Sequence, residues 1–286
     1  IENLFNEMDL NEIRYCHWKS NEHLKEALEG ETDLDILFDI SQKALVEDIF
    51  KKNKIHLFVA PWYRRYEGIF DYIGFDQATG KIFHIHTHFK LMIGEVGVKS
   101  FHLPWEEIIL KNVVIDNDNN FKAASPDIEY LLLVVRTALK FQKFNNSSNK
   151  QIAGHFEVEA RWLFERVNLK NVIAFSDKYL NEEISKLINE IITKPKFSVK
   201  FFSILRNKLV DFLSQQRKLN KSRVLLLQLT HLLLRIKNKS LKITGLKPQI
   251  NKRRIQQKGI VITLMGPDGA GKSTQTNILT KELMKK

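Results

Sequence analysis

The chain has 286 residues, enough for about two domains with hydrophobic cores of their own. It is 43% hydrophobic and 27% charged, with only 12 glycines and 6 prolines, which excludes a collagen-like or wholly disordered chain. The single cysteine, Cys16, excludes an internal disulfide framework and is typical of a reducing compartment. The N-terminal residues show no signal-peptide pattern, so we expect a cytoplasmic protein.

The net charge of +12 is unevenly distributed along the chain. Residues 1–193 have a net charge of −7, residues 194–258 of +17 and residues 259–286 of +2. The basic character therefore belongs to one internal segment, which indicates an electrostatic role for that segment.

Residues 1–122 have the pattern of a mixed α/β domain. Periodicity and capping residues predict helices at residues 1–8, 21–28 and 42–52. Runs of β-branched and aromatic residues predict strands at residues 13–18, 34–38, 55–61, 69–74 and 82–92. A turn is expected at residues 78–80, and a loop at residues 117–120 closes this domain.

The pattern becomes helical after this domain. Ser125 and Pro126 form an N-terminal cap for an apolar helix, and a polar loop is predicted at residues 145–149 before helices resume. We therefore expect a helical domain at residues 123–193 and a basic helical connector at residues 194–258. The fold class is α/β overall, with an α+β domain first, an all-α middle region and the start of a third domain at residues 259–286.

The third domain begins with a phosphate-binding motif. The sequence GPDGAGKS, Gly266 to Ser273, satisfies G-x-x-x-x-G-K-[ST] between a predicted strand at residues 259–264 and a predicted helix at residues 273–285. Its glycines let backbone N–H groups point at a triphosphate, and the positive end of the following helix favours the anion. Lys272 is expected to contact the β- and γ-phosphates, and the Ser273 hydroxyl to ligate Mg²⁺.

The segment MGPDGAGKSTQ, residues 265–275, resembles the phosphate loop of thymidylate kinase-like nucleoside monophosphate kinases. The resemblance covers about a tenth of the chain and implies ATP binding through Gly266, Asp268, Gly269, Ala270, Gly271, Lys272, Ser273 and Thr274. The Walker B carboxylate and the lid arginines of such kinases have no counterpart here. We therefore expect no kinase activity from this chain and expect it to be the front part of a longer protein.

A second motif lies near the N-terminus. In the sequence GETDLDIL, Asp33 and Asp35 stand at i and i+2 at the start of an apolar strand, so both side chains are expected on one face. Two converging carboxylates can bind the divalent metal that nucleotidyl transfer needs. Lys19 and Ser20 precede a short helix, where they are expected to contact triphosphate oxygens.

This pattern resembles an uncharacterised branch of the polymerase-β-like nucleotidyltransferases, in which K-[GS] is followed by D-[IL]-D-[LI]-L and a later strand similar to I-D-L-H-W-x-L. The later strand here reads IHTHFKL and places His86 where the resemblance implies a third carboxylate. Three interpretations stay open: His86 ligates metal with Asp33 and Asp35, the domain binds nucleotide without transferring it, or the two aspartates are a solvated strand entry.

Two further features allow more than one interpretation. Strand alternation places His84, His86 and His88 on one face of the strand. They are either ligands of a zinc site or ordinary polar residues with hydrogen-bond partners. The apolar run at residues 224–234 is too short to cross a bilayer. We expect it to be a buried helix. Its basic flanks allow three interpretations of the segment: a solvated connector, an amphipathic helix on an anionic membrane, or a nucleic-acid contact.

The sequence thus predicts a nucleotide-handling transferase that uses Mg²⁺ and ATP or another nucleoside triphosphate. Its acceptor is an unidentified small molecule or nucleotide. The alternative is a catalytically degenerate nucleotide-binding module, tethered to a membrane or a nucleic acid by the basic segment.

Overall fold

The computed structural model describes residues 1–77, 79–141, 146–193, 198–243, 253–255, 264–267 and 269–284. The chain divides into two compact units, Ile1–Gln256 and Gln257–Lys286. The predicted boundary at residue 258 lies close to this division. The predicted turn residue Ala78, most of the predicted strand at residues 259–264, and Asp268 lie outside the described residues.

The first unit begins with an α/β region. Its helices are α1 (Glu2–Leu10), α2 (Leu24–Leu28), α3 (Lys43–Lys52) and α4 (Glu106–Lys111). Its strands are β1 (Tyr15–His17), β2 (Leu34–Phe38), β3 (His56–Val59), β4 (Ile69–Phe75), β5 (Ile82–His88), β6 (Met92–Ile93), β7 (Phe101–His102), β8 (Val113–Asp116) and β9 (Phe121–Ala124). The predicted loop at residues 117–120 is the turn between β8 and β9.

The remaining helices follow. They are α5 (Pro126–Lys140), α6 (Asn146–Phe164), α7 (Leu169–Tyr179), α8 (Glu182–Ile192), α9 (Val199–Phe212), α10 (Lys221–Ile243) and α11 (Lys272–Met284), with a short strand β10 (Arg254–Ile255) between the last two. The predicted polar loop at residues 145–149 is wrong for its described part, because α6 begins at Asn146. The polar run there lies in the first turn of the helix.

The predicted mixed α/β class is confirmed. One sheet has the strand order β10-β3-β4-β5-β2-β1-β9-β8, and β6 and β7 form a separate pair. β2 is parallel to β5, and β1 is parallel to β9, whereas β4 and β5 are antiparallel. The predicted strand at residues 82–92 ends at His88, and the chain resumes pairing only at Met92.

Both faces of the central strands are covered. Leu34, Ile36 and Phe38 of β2 point into a core shared with α1 and α3, while Leu37 points into a second core. This second core extends from the sheet into the helices α5 to α9. The boundary predicted between residues 122 and 123 falls within β9, so sheet and helical region are packed together in one unit.

No described helix has both the length and the apolar character required to cross a membrane.

Candidate functional site

Three neighbouring strands place polar side chains at one level of the sheet. Asp35 on β2 is the register partner of His86 on β5, and His86 is the register partner of Asp71 on β4. Residues directly opposite each other across a strand pair lie on the same face. The flanking residues Leu34 and Ile36 point into the core beneath the opposite face. The alternation thus separates an apolar face from a face that carries carboxylates and imidazoles.

Asp35, His86 and His88 form a cluster whose ligand atoms all lie within 4.8 Å of one another. His86 Nδ1 is 2.9 Å from Asp35 Oδ1, and His88 Nε2 is 3.4 Å from the same oxygen. His88 is fully buried, and neither of its ring nitrogens has a hydrogen-bond partner among the described residues. Burial lowers the pKa of both histidines, so both imidazoles are neutral near pH 7 and each has a lone pair to offer.

Lys19 holds the other oxygen of the Asp35 carboxylate. Its ammonium forms an ion pair with Asp35 Oδ2. Burial raises the pKa of Asp35, but the Lys19 ammonium and the hydrogen bond from His86 more than offset this effect and hold the pKa well below its usual range. Asp35 is therefore an ionised carboxylate with Oδ1 directed at the two histidines.

Asp33 lies outside this cluster. Its side chain is 55% exposed, and Asp33 Oδ1 is 2.6 Å from His84 Nδ1. On the other side of the same ring, His84 Nε2 is 3.0 Å from Asp71 Oδ1. Burial lowers the pKa of His84, but the two carboxylates more than offset this effect and raise it to about 9. The structure thus holds Asp33 and Asp35 separately, and their joint role as metal ligands stays a prediction.

The donor set of the cluster is a poor match for Mg²⁺, the ion that the resemblance implies. Mg²⁺ prefers oxygen ligands in octahedral geometry and usually retains several waters. The cluster offers one carboxylate and two imidazoles, since Asp33 is engaged by His84. These residues therefore do not fit a dedicated Mg²⁺ site.

A cavity of about 760 Å³ opens beside the cluster, within the size range of small-molecule sites. Its acidic lining residues are Asp33, Asp35, Asp71 and Glu95. Its basic lining residues are Lys19, Arg64, Arg65, Lys99, Arg136, Lys140, Arg235 and Arg253. Because the lining cations outnumber the lining carboxylates, the cavity favours an anionic ligand.

Two of these cations are held in the wall. Burial and the nearby Lys19 ammonium lower the pKa of Lys99 to about 7. A lysine in this range can stabilise an anion when protonated and accept a proton when neutral. Arg136 on α5 forms an ion pair of 2.6 Å with Glu159, and its guanidinium carbon lies 5.6 Å from the centroid of the Trp18 ring. The wall therefore combines Arg136, which stays charged, with Lys99, whose charge depends on pH near 7.

The predicted phosphate-binding turn after β1 is only partly available. Ser20 adopts a left-handed conformation (φ 57°), and a three-residue 3₁₀ helix, Asn21–His23, follows it. The backbone N–H of Asn21 donates to Glu129 Oε1 at 2.9 Å, so this amide is occupied. Among the described residues the cavity wall includes Lys19 but not Ser20. The contact of Ser20 with a triphosphate stays a prediction.

The phosphate loop of the second unit has the conformation that its glycines allow. Gly269 and Gly271 have φ values of +85° and +74°, which favour glycine. The Lys272 ammonium bonds to the carbonyl oxygens of Gly266 and Pro267 at 2.7 and 2.6 Å. The predicted helix start at residue 273 is correct to within one residue, since α11 begins at Lys272.

The nucleotide-binding residues predicted in this loop are exposed wherever they are described, except for the half-buried Lys272. Gly266, Gly269, Ala270 and Gly271 precede α11, and Ser273 and Thr274 lie in its first turn. Among the described residues of the second unit no side chain is buried. The binding of ATP through these residues, and of Mg²⁺ through Ser273, stays a prediction.

The basic segment contributes one wall of the cavity. One face of α10 packs through Val224 and Leu227 against Tyr63 and Val98. Further along the same helix, His231, Leu234 and Arg235 line the cavity. The segment is therefore part of the candidate site. The buried helix expected at residues 224–234 is wrong for one face of α10: Val224 and Leu227 are buried, whereas Leu225, Leu226, Leu229, Leu232 and Leu233 are exposed.

Several residues of this site escaped the sequence analysis. Asp71 lies in an ordinary strand pattern, and its proximity to His86 depends on the register of β4 and β5. Lys99 lies in a loop, and Arg136 lies in a helix where packing was the expected role. Of these residues, only Asp71 could have been noticed in the sequence. A charged residue inside an apolar strand is rarely buried without a partner, so its position predicts an ion pair or hydrogen bond.

Comparison with known proteins gives little further information. No family model matches the chain, and no curated protein matches it. One solved structure, titled "Crystal structure of JHP933 from Helicobacter pylori", is similar to this chain, with 13% sequence identity and a TM-score of 0.32. The match covers 85% of this chain and 96% of the JHP933 chain. A similarity at this level does not assign a function to this chain.

Proposed function

We propose that the first unit binds a nucleoside triphosphate in the 760 Å³ cavity and transfers its nucleotidyl group to an acceptor. The observation that carries this proposal is the meeting of an ionised carboxylate, Asp35, with an excess of cations in one cavity. The resemblance of residues 19–37 and 85–91 to polymerase-β-like nucleotidyltransferases supports the same reaction class.

The cations suit a triphosphate better than a singly charged ligand. Lys99, Arg136 and Lys140 line the same cavity as the Lys19–Asp35 pair. Arg136 is already paired with Glu159, whereas no ion pair with a carboxylate is recorded for Lys99 or Lys140 among the described residues. With pKa values of about 8 and about 7, Lys140 is mostly protonated and Lys99 partly protonated at pH 7. Their charge leaves a local positive potential that phosphate oxygens would neutralise.

In the proposed reaction an acceptor oxygen forms a bond to the α-phosphorus of the nucleotide. The bond from this phosphorus to the oxygen that bridges to the β-phosphate breaks, and pyrophosphate leaves with the electron pair. The proton of the acceptor passes to a neutral group in the cavity wall, for which Lys99 has a suitable pKa of about 7. Lys19, Lys140 and Arg136 hold the phosphates in line for this displacement.

The test measures equilibrium binding of the four common nucleoside triphosphates by tryptophan fluorescence, because Trp18 lines the cavity. It uses a Lys272→Ala background, which removes the contribution of the phosphate loop. Lys19→Gln and Lys140→Gln should each weaken binding about tenfold, which corresponds to about 1.4 kcal/mol. Lys25→Gln, an exposed lysine on α2, is the matched control and should change nothing.

Release of pyrophosphate from the bound nucleotide, with acceptors supplied as a panel of alcohols and nucleosides, then tests transfer. The proposal would be contradicted if Lys272→Ala by itself abolished nucleotide binding. It would also be contradicted if Lys19→Gln and Lys140→Gln left the affinity unchanged. Binding without transfer would favour the degenerate module instead.

A second observation favours contact of the basic segment with an anionic membrane surface. On α10 the side chains of Leu225, Leu226, Leu229, Leu232, Leu233 and Ile236 are between 48% and 65% exposed. At 3.6 residues per turn they form one stripe, with Lys221 and Lys239 at one edge and Lys237 at the other. Residues 212–267 contain no Asp or Glu. An apolar stripe with cations and no carboxylate at its edges is complementary to anionic lipid headgroups.

Sedimentation of the chain with vesicles tests this contact. Vesicles that contain about one third phosphatidylserine should bind the chain, and the binding should weaken as salt rises. Leu232→Gln with Leu233→Gln should reduce binding about tenfold, whereas Leu10→Gln, an exposed leucine on α1, should not. Equal binding to neutral phosphatidylcholine vesicles would contradict the proposed electrostatic contact. Capture by an acidic protein but not by vesicles would assign the stripe to a protein partner.

A further inference from the structure

We propose that Asp35, His86 and His88 bind a divalent transition-metal ion, of the series from Mn²⁺ to Zn²⁺, in place of the Mg²⁺ expected from the resemblance. The three residues come from neighbouring strands, β2 and β5, and share one face of the sheet. This inference does not depend on the proposed nucleotide reaction, because it concerns the ion that the protein binds by itself.

The chemistry of the donors selects the ion. Two imidazoles and one carboxylate form a mixed nitrogen and oxygen set, which suits Zn²⁺, Fe²⁺, Co²⁺ and Mn²⁺. Mg²⁺ dehydrates reluctantly and requires oxygen ligands. The replacement of a third carboxylate by His86 therefore changes which ion the site prefers, and does not by itself indicate that the site is lost.

The distances fit a common ligand sphere. Metal–ligand bonds of about 2.0–2.2 Å at angles between octahedral and tetrahedral separate two ligand atoms by about 3.0–3.5 Å. Asp35 Oδ1 lies 2.9 Å from His86 Nδ1 and 3.4 Å from His88 Nε2. The third separation, between the two imidazole nitrogens, is at most 4.8 Å. To coordinate one ion the imidazoles must therefore move closer together, and the His86 proton must lie on Nε2 so that Nδ1 offers its lone pair.

His88 provides an independent observation. Its side chain is completely buried, yet among the described residues Nδ1 has no hydrogen-bond partner and Nε2 has only the long 3.4 Å contact with Asp35 Oδ1. A buried polar group without a partner is costly, and such groups are rare in folded proteins. A metal ion bound at Nε2 would satisfy this nitrogen, since the ring faces Asp35 at 3.4 Å.

The surroundings leave room for further ligands. Lys19 engages Asp35 Oδ2 and thereby fixes the carboxylate with Oδ1 toward the histidines. Partners of this kind orient metal ligands in known sites. Asp35 and His86 also line the cavity, so open coordination positions would face a space that admits water or a substrate.

The test uses Co²⁺ as the probe, because its visible absorption reports nitrogen and oxygen ligation. The tag-free chain is stripped with a chelator and titrated with Co²⁺ without nucleotide, and metal content is measured by mass spectrometry. We expect one Co²⁺ per chain, displaced by stoichiometric Zn²⁺ and retained in millimolar Mg²⁺. Binding of nucleotide plays no part in this readout, so failure of the proposed function would not affect it.

Variants identify the ligands. His86→Asn and Asp35→Asn should weaken Co²⁺ binding at least about 100-fold. His84→Asn is the matched control, since His84 lies on the same face of β5 but is held by Asp33 and Asp71, and it should change the affinity less than about threefold. His86 is partly exposed, so its variant tests the proposal even if His88→Gln fails to fold.

Three results would overturn the proposal. They are the absence of Co²⁺ absorption in the folded wild-type chain, displacement of Co²⁺ by millimolar Mg²⁺, and an equal loss of affinity in His84→Asn and His86→Asn. The last result would assign the metal to the three histidines of β5 instead.

Discussion

Asp35 and Asp71 lie at the same level of the sheet, on the two sides of His86, because β2 and β4 both pair with β5 at that residue. The resemblance implies a third carboxylate on β5, and the sequence has a histidine there. The structure supplies a carboxylate from the next strand instead. This arrangement surrounds one imidazole with two carboxylates in the wall of a single cavity.

The position of Asp71 predicts a stabilising role. Its carboxylate binds His84 at 3.0 Å and lies 3.1 Å from Arg253 Nε, and its side chain is only 8% exposed. Asp71→Asn should therefore lower the free energy of unfolding by about 1.5–3 kcal/mol, because Arg253 loses its carboxylate partner and His84 keeps only Asp33. Urea denaturation of the metal-free chain measures this change. Asp118→Asn, an exposed turn carboxylate, should change it by less than about 0.5 kcal/mol, and equal effects would contradict the role.

The sequence allowed the prediction of the strands that carry this site. β2 was recognisable as a short apolar run interrupted by one aspartate. β5 was recognisable because β-branched and aromatic residues alternate with histidines, and this alternation placed His84, His86 and His88 on one face. The small elements between residues 101 and 124 were missed, apart from the loop at residues 117–120. β7 has only two residues and α4 only six, so neither has enough residues for a periodic signal.

The cavity could not be predicted in the same way. Its walls come from residues distant in sequence, among them Lys19, Lys99, Arg136 and Arg235. Their meeting depends on how α5 and α10 pack against the sheet, and a local pattern contains no information on that packing. The separation of Asp33 from Asp35 likewise depends on the partner that His84 provides.

Lys99 predicts a pH dependence of nucleotide binding. Its pKa of about 7 means that it loses its charge as the pH rises above 7, since burial and the Lys19 ammonium favour the neutral form. Lys140 lines the same cavity, and burial lowers its pKa to about 8, so it loses its charge in the same range. Affinity for ATP should therefore fall between pH 7.5 and pH 9, where ATP itself keeps a constant charge, and Lys99 should account for part of this fall. Lys99→Arg keeps its charge and should show a shallower decrease. Isothermal titration in the Lys272→Ala background measures the difference, and parallel profiles would exclude Lys99 from the site.

Glu129 predicts a pH dependence of stability. Burial, together with the nearby Glu159 carboxylate, raises its pKa from 4.5 to about 8, although hydrogen bonds from Asn21 and the charge of Arg136 oppose this. The folded state therefore binds more protons than the unfolded state between pH 4.5 and pH 8. The contribution of Glu129 to stability is greatest below pH 4.5 and decreases as the pH rises to 8.

Glu129→Gln cannot titrate and should remove this decrease. We expect the free energy of unfolding of the variant, relative to wild type, to increase steadily from pH 5 to pH 8 in urea denaturation. Glu190→Gln, an exposed glutamate on α8, should give a constant difference over the same range. Two constant differences would show that Glu129 is ionised in the folded state at every pH tested.

Lys272 provides the last prediction, because it separates the two candidate nucleotide sites. Its ammonium bonds to the carbonyls of Gly266 and Pro267, and both of these residues are exposed. Bonds of this kind in contact with water contribute little to the free energy of unfolding. Lys272→Ala should therefore leave the free energy of unfolding of the first unit, measured in urea, unchanged within about 0.5 kcal/mol. It should also leave Co²⁺ binding at Asp35 and His86 unchanged, whereas any ATP bound through the phosphate loop should be lost. A large drop in the urea midpoint would mean that this lysine stabilises the first unit as well as its own loop.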